Sequence, residues 1–437
     1  MFSRTRIRCF AVLSLILLTA LLCAACARKS AAPEEAMAGK PYAASVGMSA
    51  EAAAPVPPAT TESKIVADAA DYDAARTRDD REISEEVAVP GQTPLTPRPN
   101  ILPAGEWNDN AEYDFLLNLI QTNQDWRDFT SRWGMDPSRR VEVKVTAAGK
   151  PAVNAKVELL GNNDEFIWAA RTDNTGTAYV FAGFDRDGRR AEPAAIKVVY
   201  DGRTLQKNWT TGPKTLTVAF TGREDVASPA LDLMFVVDTT GSMQDELNFL
   251  KAELVSVIDQ VRRHNANIPT RLAVSVYRDH GDDYLVRATP FDRDFGKAQH
   301  FLNEQNADGG GDYEEAVELA LYDALNKHDW NPEARARLLF LVLDAPPHNT
   351  SAIKAKMHEL TARAALEGIR IIPVASSGVD KDTEFLLRCL ALASGGTYVF
   401  LTDHSGVGNP HLEPTIGPYD VEKLNSLLVR LIDNYVR

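Results

Sequence analysis

Cysteine is scarce in this chain. Its 437 residues hold four, and three of these, Cys9, Cys23 and Cys26, fall in the first 26 positions. Cys389 is left without an obvious partner, which excludes a disulfide framework. Phe385, Cys389 and Leu392 share a helical face, so Cys389 reads as a packed thiol and not as a nucleophile. Positive charge is also short. Against 61 Asp and Glu stand 47 Lys and Arg, a formal net charge of −14, which argues against nucleic acid as a partner. No nucleophile elbow, Walker loop, HExxH or paired-metal histidine motif occurs, so the common short signatures of hydrolysis and nucleotide chemistry are missing. The apolar stretch Phe10–Leu22 is too short for a spanning helix.

What is present divides the chain. Arg4, Arg6 and Arg8 precede that apolar stretch, and Ala24 and Ala25 follow it, the layout of an export signal over residues 1–26. Residues 27–104 are rich in Ala, Pro, Glu, Ser and Thr without apolar periodicity, which predicts a disordered tether. Residues 105–138 regain aromatic content. Tyr113, Leu116, Leu117 and Ile120 fit one helical face, and Trp126, Phe129 and Trp133 another, so a helical segment docked against the following domain is expected. Residues 139–222 alternate as short strands between turns such as TDNTG and YDGR, predicting a small all-β sandwich. DRDG at 185–188 is a faint calcium-loop echo. From 230 to 437, near-continuous apolar runs (LDLMFVV, RLAVSVY, RLLFLVL, IRIIPVA, TYVFL) alternate with amphipathic stretches. That is the pattern of an α/β, doubly wound, mostly parallel sheet covered on both faces.

Ligands of such sheets bind beyond the carboxyl ends of the strands. Three loops carry oxygen donors there. The first is Asp238-Thr-Thr-Gly-Ser, in which Asp238, Thr240 and Ser242 alternate just past a buried run. The second is Gly309-Gly-Gly-Asp312, where the glycines let backbone approach closely. The third begins at Asp344, directly after LLFLVL. Hard oxygen donors suit Mg²⁺ above all, with Ca²⁺ or Mn²⁺ also accommodated, and not zinc or copper. The competing reading is that the hydroxyls cap the helix beginning near MQDELNFL. Asp279, His280 and His348 fall at the same rim, where they would orient metal carboxylates from outside or simply pack. His404 and His411 sit in a Gly/Pro loop without a convincing third ligand.

DTTGS, with GGGDYEEAVELAL, DAPPH and Gly395-Gly-Thr-Tyr398 in order, resembles a von Willebrand factor type A domain of the bacterial, hemicentin-like branch. The resemblance implies a metal-ion-dependent adhesion site. In it Asp238, Thr240 and Ser242 would be first-loop ligands and Asp344 the third-loop acid, often acting through water. The family usually has Thr in the second loop, and here Asp312 would substitute for it. A third acid should tighten metal binding and weaken attraction for a partner's carboxylate, since each charge pair at 4 Å and a dielectric near 20 is worth about 4 kcal/mol. GKPAVNAKVELL followed by TDNTGTAYV resembles Cna-B-like and carboxypeptidase-regulatory-like sandwiches. The first 26 residues resemble a bacterial lipoprotein signal with Cys26 as the lipidated residue, although Cys23 stands where Leu is usual.

The combined expectation is a non-enzymatic, exported binding protein. A lipid anchor would hold it at the cell or outer membrane, and a divalent cation would engage a protein or cell-envelope partner. Two alternatives remain open: a metal-assisted hydrolase using His280 or His348 as base, and a purely structural envelope protein.

Overall fold

The computed structural model describes residues 98–184, 192–209, 214–221, 228–408 and 410–437. The signal-like stretch with Cys26, most of the expected tether, and DRDG at 185–188 lie outside the described residues. Strand β1 (Pro103–Trp107) opens the described fold. It is followed by helices α1 (Tyr113–Thr122) and α2 (Gln124–Trp133).

Residues 140–220 form two four-stranded sheets. One holds β2 (Arg140–Ala147), β3 (Lys150–Pro151), β6 (Thr177–Phe181) and β9 (Thr215–Phe220). The other holds β4 (Lys156–Gly161), β5 (Phe166–Arg171), β7 (Pro193–Tyr200) and β8 (Arg203–Asn208). Val141, Val143 and Val145 of β2 are buried at every second position, as a one-sided strand requires.

The larger sheet carries the site. Its strands are β10 (Ser228–Asp238), β11 (Thr270–Tyr277), β12 (Val286–Ala288), β13 (Ala334–Leu343), β14 (Ile369–Ala375), β15 (Tyr398–Leu401) and β16 (Glu422–Lys423), together with β1. Spatial order is β12-β11-β10-β13-β14-β15-β1-β16. The five consecutive strands β11 to β15 are parallel, while β12, β1 and β16 pair antiparallel. The helices between and after them are α3 (Gln244–His264), α4 (Phe295–Asn303), α5 (Val317–Asn326), α6 (Ser351–Glu367), α7 (Lys381–Ser394) and α8 (Leu424–Val436). Among the described residues no helix is long and apolar enough to cross a membrane.

Strand period explains why the runs are continuously apolar. Met234 and Val236 of β10, with Leu339 and Leu341 of β13, join the core that α5, α6 and α7 cover. Leu233, Phe235 and Val237, with Leu338 and Phe340, face the core of α3, α4 and α8. Successive side chains point to opposite faces, and both faces are dry.

The boundaries drawn from composition need correcting. Residues 103 and 104 belong to β1 and not to a tether, and 105–138 is not purely helical. β1 pairs with β15, Ala104 opposite Leu401 and Trp107 opposite Tyr398, so this stretch finishes the large sheet. Its helices dock on α7, far along the chain. Trp126 meets Phe385 edge to face at 5.5 Å, and the Trp133 indole donates to Asp382 at 2.9 Å. Periodicity found the apolar faces but not their distant partner. β12 is a short antiparallel edge strand of three residues, Val286–Ala288. The terminal helix begins at Leu424, after β16.

Candidate metal centre

Strand β10 lies between two parallel neighbours, where the chain departs to opposite sides of the sheet. The crevice beyond such a point is where open α/β sheets bind ligands. Register pairs Asp238 with Tyr277 and Val237 with Val342, which brings Asp238 and Asp344 out of adjacent strands almost level. The amide and hydroxyl of Thr239 both donate to the Tyr277 carbonyl, at 3.0 and 2.8 Å. This ties the loop to β11.

Asp238 and Thr240 are fully buried. The Thr240 amide and hydroxyl both donate to Asp238 Oδ1, at 2.8 and 2.7 Å, and the Thr240 and Ser242 hydroxyls lie 3.2 Å apart. The capping reading fails on this geometry. Thr240 and Met243 precede the short 3₁₀ turn and α3, and neither contributes a side-chain cap. The hydroxyls face the acid instead. Ser242 is exposed, so the group is reached from solvent there.

The glycine loop is laid over this turn by backbone bonds, Gly241 N–H to the Gly309 carbonyl and Asp308 N–H to the Thr239 carbonyl, both 3.1 Å. Gly309 and Gly310 take φ values of +81° and +77°. A β-carbon on Gly309 would stand 2.4 Å from the Asp282 carboxylate, and one on Gly310 only 3.0 Å from Glu315 Oε1. Asp282 in turn accepts from the Gly310 amide at 2.9 Å. Left-handed backbone and absent side chains are both needed for this approach.

Asp312 does not join the group. Its side chain is exposed and lies with Glu314 and His348, their ligand atoms within 4.8 Å of one another. The left-handed glycines turn the chain outward there, and it returns only at Glu315, whose amide donates to the Pro346 carbonyl at 2.9 Å. The buried second-loop acid is therefore Glu315. In the sequence Glu315 stands just before the amphipathic pattern of α5, where an acid near a helix start is ordinary. The available signal was Glu315 itself, an acid beside the apolar start of α5; it is buried, as is Glu318 in the first turn of that helix.

Asp238 Oδ2, Glu315 Oε2 and Asp344 Oδ1 are buried and have no hydrogen-bond partner among the described residues. Burial, and then the charge of Asp238, raises Asp344, while a bond from Ser242 opposes this. Burial likewise raises Asp238, against the two bonds from Thr240 and the neighbouring Tyr277 hydroxyl. Glu315 is pushed up to about 9 by burial and then by Asp238, Asp279, Asp344 and Asp282. Orphaned carboxylate oxygens beside two hydroxyls, raised by burial and then by mutual repulsion, fit an oxygen-loving divalent cation. Asp238 with Thr240 and Ser242 forms the hydrogen-bonded cluster suited to direct contact, and Glu315 and Asp344 supply further buried carboxylate oxygens.

A pH dependence follows. Metal-free folded chain keeps the Glu315 proton up to pH about 9, while the ordinary carboxyl releases it near 4.5. The unfolded state then binds fewer protons, so stability falls as pH rises across that window. Melting in EDTA should show this decline. Saturating Mg²⁺ should flatten or reverse it, because its ligands must be deprotonated, with release of about one proton per ion near neutrality. Calorimetry in buffers of different ionisation enthalpy measures that proton, and its absence would count against Glu315.

The other residues of the rim separate from this group. His348 Nε2 lies 2.8 Å from Asp279 Oδ1, and its ring is 5.6 Å from that of His280. In the Gly/Pro loop, His411 bridges Asp403 at 2.8 Å and Glu246 at 3.1 Å. Cys389 is buried, and burial pushes its thiol well up.

Residues 232–403 match the family model for the von Willebrand factor A domain. Human von Willebrand factor A domain-containing protein 7 is 30% identical over 200 residues, 40% of this chain and 20% of that protein. Alpha-protein kinase vwkA of Dictyostelium discoideum is 24% identical over 177 residues, 37% of this chain and 28% of that protein. The chain thus spans less than a third of the length of these relatives. Among solved structures, the conserved hypothetical protein BatB from Bacteroides thetaiotaomicron aligns with 47% of this chain and 98% of its own, at 15% identity and a TM-score of 0.33.

Proposed function

We propose that the von Willebrand factor A domain at residues 232–403 is a metal-dependent docking module for a protein or cell-envelope partner. Such domains are usually interaction modules and not enzymes, and they commonly bind a divalent cation. The observation that carries the proposal is the state of Asp238. One oxygen is held by the Thr240 amide and hydroxyl, and the other is buried with no hydrogen-bond partner among the described residues. Asp238, Thr240 and Ser242 would hold the ion directly, with Glu315 and Asp344 around it, Mg²⁺ being the best match to an all-oxygen set. When bound, the cation supplies a Lewis-acidic position for a partner's oxygen on the side of exposed Ser242. Three acids leave little positive charge unsatisfied, so the partner's donor is a neutral oxygen, a hydroxyl or carbonyl, more readily than a carboxylate.

Export, bacterial origin, lipidation at Cys26, a tether and a Cna-B-like spacer form the rest of the proposal. It rests on the sequence of residues 1–104 and of 139–222. Together these would hold the docking face away from a membrane.

The test is crosslinked recovery of envelope partners by the full-length chain, with and without EDTA, alongside Asp238→Ala. Loss of the same partners in EDTA and in the variant is expected. Recovery unchanged in both, with only thermal stability lowered, would make the ion structural. In the same cells, Cys26→Ser should release the chain from the membrane fraction, and continued retention would overturn the lipid anchor.

A further inference from the structure

We infer that Asp279, His280, His348 and Glu318 form a second divalent-cation site of mixed nitrogen and oxygen character, suited to Zn²⁺ and distinct from the oxygen site at Asp238. The two histidines come from different loops, His280 after β11 and His348 after β13. The topology that sets the Asp238 group at this edge also brings them together. Ligand atoms of Asp279, His280 and His348 all lie within 4.8 Å of one another. His348 Nε2 is 2.8 Å from Asp279 Oδ1, and His280 Nε2 is 3.8 Å from Glu318 Oε1. Four ligands at bond lengths of 2.0–2.1 Å around a tetrahedral zinc stand about 3.3 Å apart. The two observed separations bracket that value; Asp279, His280 and His348 form the compact core of the set, and Glu318 joins it from beside His280.

Glu318 is the independent sign that a cation belongs here. It is 4% exposed, and its Oε2 is buried with no hydrogen-bond partner among the described residues. An isolated buried carboxylate is costly, and two neighbouring imidazoles neutralise it only when protonated. A metal satisfies it with the histidines neutral. Imidazole nitrogen with carboxylate selects zinc over magnesium, whereas the Asp238 group offers only oxygen. His280 is half exposed, its side chain 53% open, and gives an entry path. The competing account is a plain Asp279–His348 ion pair with His280 bystanding.

The experiment uses the full-length chain in millimolar Mg²⁺, which occupies the oxygen site, with Co²⁺ as a visible probe and Zn²⁺ as competitor. One equivalent of Co²⁺ should give the intense absorption of a four-coordinate ion, displaced stoichiometrically by Zn²⁺. His280→Ala and His348→Ala should each weaken binding by at least about a hundredfold, more than loss of an outer partner costs. Glu318→Gln should weaken it while leaving the fold intact by circular dichroism. Asp238→Ala should leave the signal in place. A weak six-coordinate spectrum, or binding indifferent to His280→Ala, would overturn the inference in favour of the ion pair. A signal lost only in Asp238→Ala would assign the Co²⁺ to the oxygen site and overturn it as well. The inference stands apart from the docking proposal, because its readout is metal binding by His280, His348 and Glu318 and not recovery of a partner.

Discussion

Asp238→Ala is expected to lower affinity for Mg²⁺ or Mn²⁺ by about a thousandfold, near 4 kcal/mol. The residue is fully buried, and it is the one acid whose neighbours Thr240 and Ser242 supply the other direct oxygens. Its removal deletes a charge and also frees the Thr240 amide and hydroxyl, now aimed at nothing. Glu315→Gln should cost less, about 10- to 100-fold, as outer carboxylates do. Asp312→Asn should change affinity by no more than roughly threefold, being exposed and outside the buried group. Titration calorimetry ranks the three. In EDTA the order inverts: Glu315→Gln should melt higher than the parent, because it removes a carboxyl raised first by burial and then by repulsion from Asp238, Asp279 and Asp344. A large loss in Asp312→Asn with none in Glu315→Gln would return the second-loop ligand to position 312.

Asp109→Ala is expected to destabilise the chain by about 3 kcal/mol, because it breaks a buried two-pronged ion pair and leaves Glu384 as the remaining acid on Arg388. Asp109 receives the Arg388 guanidinium in a two-pronged bond, Nε to Oδ2 at 2.8 Å and a terminal nitrogen to Oδ1 at 2.6 Å. Glu384 holds the same guanidinium at 3.2 Å, and all three side chains are at most 2% exposed. The Trp107 indole also donates to Asp109 at 3.0 Å. Removing Asp109 leaves these donors unpaired in a dry interior. The measurement is chemical denaturation at constant slope, with Asp109→Asn as the milder variant that keeps the volume. A loss below about 1 kcal/mol would make the segment before β2 peripheral, whereas the expected loss makes it part of the large sheet's fold.

Much of this protein can be read from local pattern. The apolar runs ending at Asp238 and Leu343 specify two-sided strands, and strands ending in oxygen-bearing loops point to one edge of a sheet. Asp238, Thr240, Ser242 and Asp344 come to one edge for that reason: each sits within a few residues of a strand end, and strand register carries it to the candidate site. Asp312 and Glu315 lie on a loop whose direction is set by left-handed glycines and by a backbone bond to Pro346. Those are tertiary facts, and spacing alone cannot choose between acids three residues apart.

The same division runs through the rest of the chain. Sequence by itself determined the α/β class, the strand order along the chain, the oxygen-rich first loop and the lone packed thiol, because each depends on neighbours within one or two turns. Only the tertiary structure decided that residues 103–107 enter the large sheet, that Arg388 closes on Asp109, and that His280, His348 and Glu318 meet. Those contacts join residues separated by tens to hundreds of positions. They form where burial leaves a charge or an unpaired backbone edge that just one distant segment can satisfy.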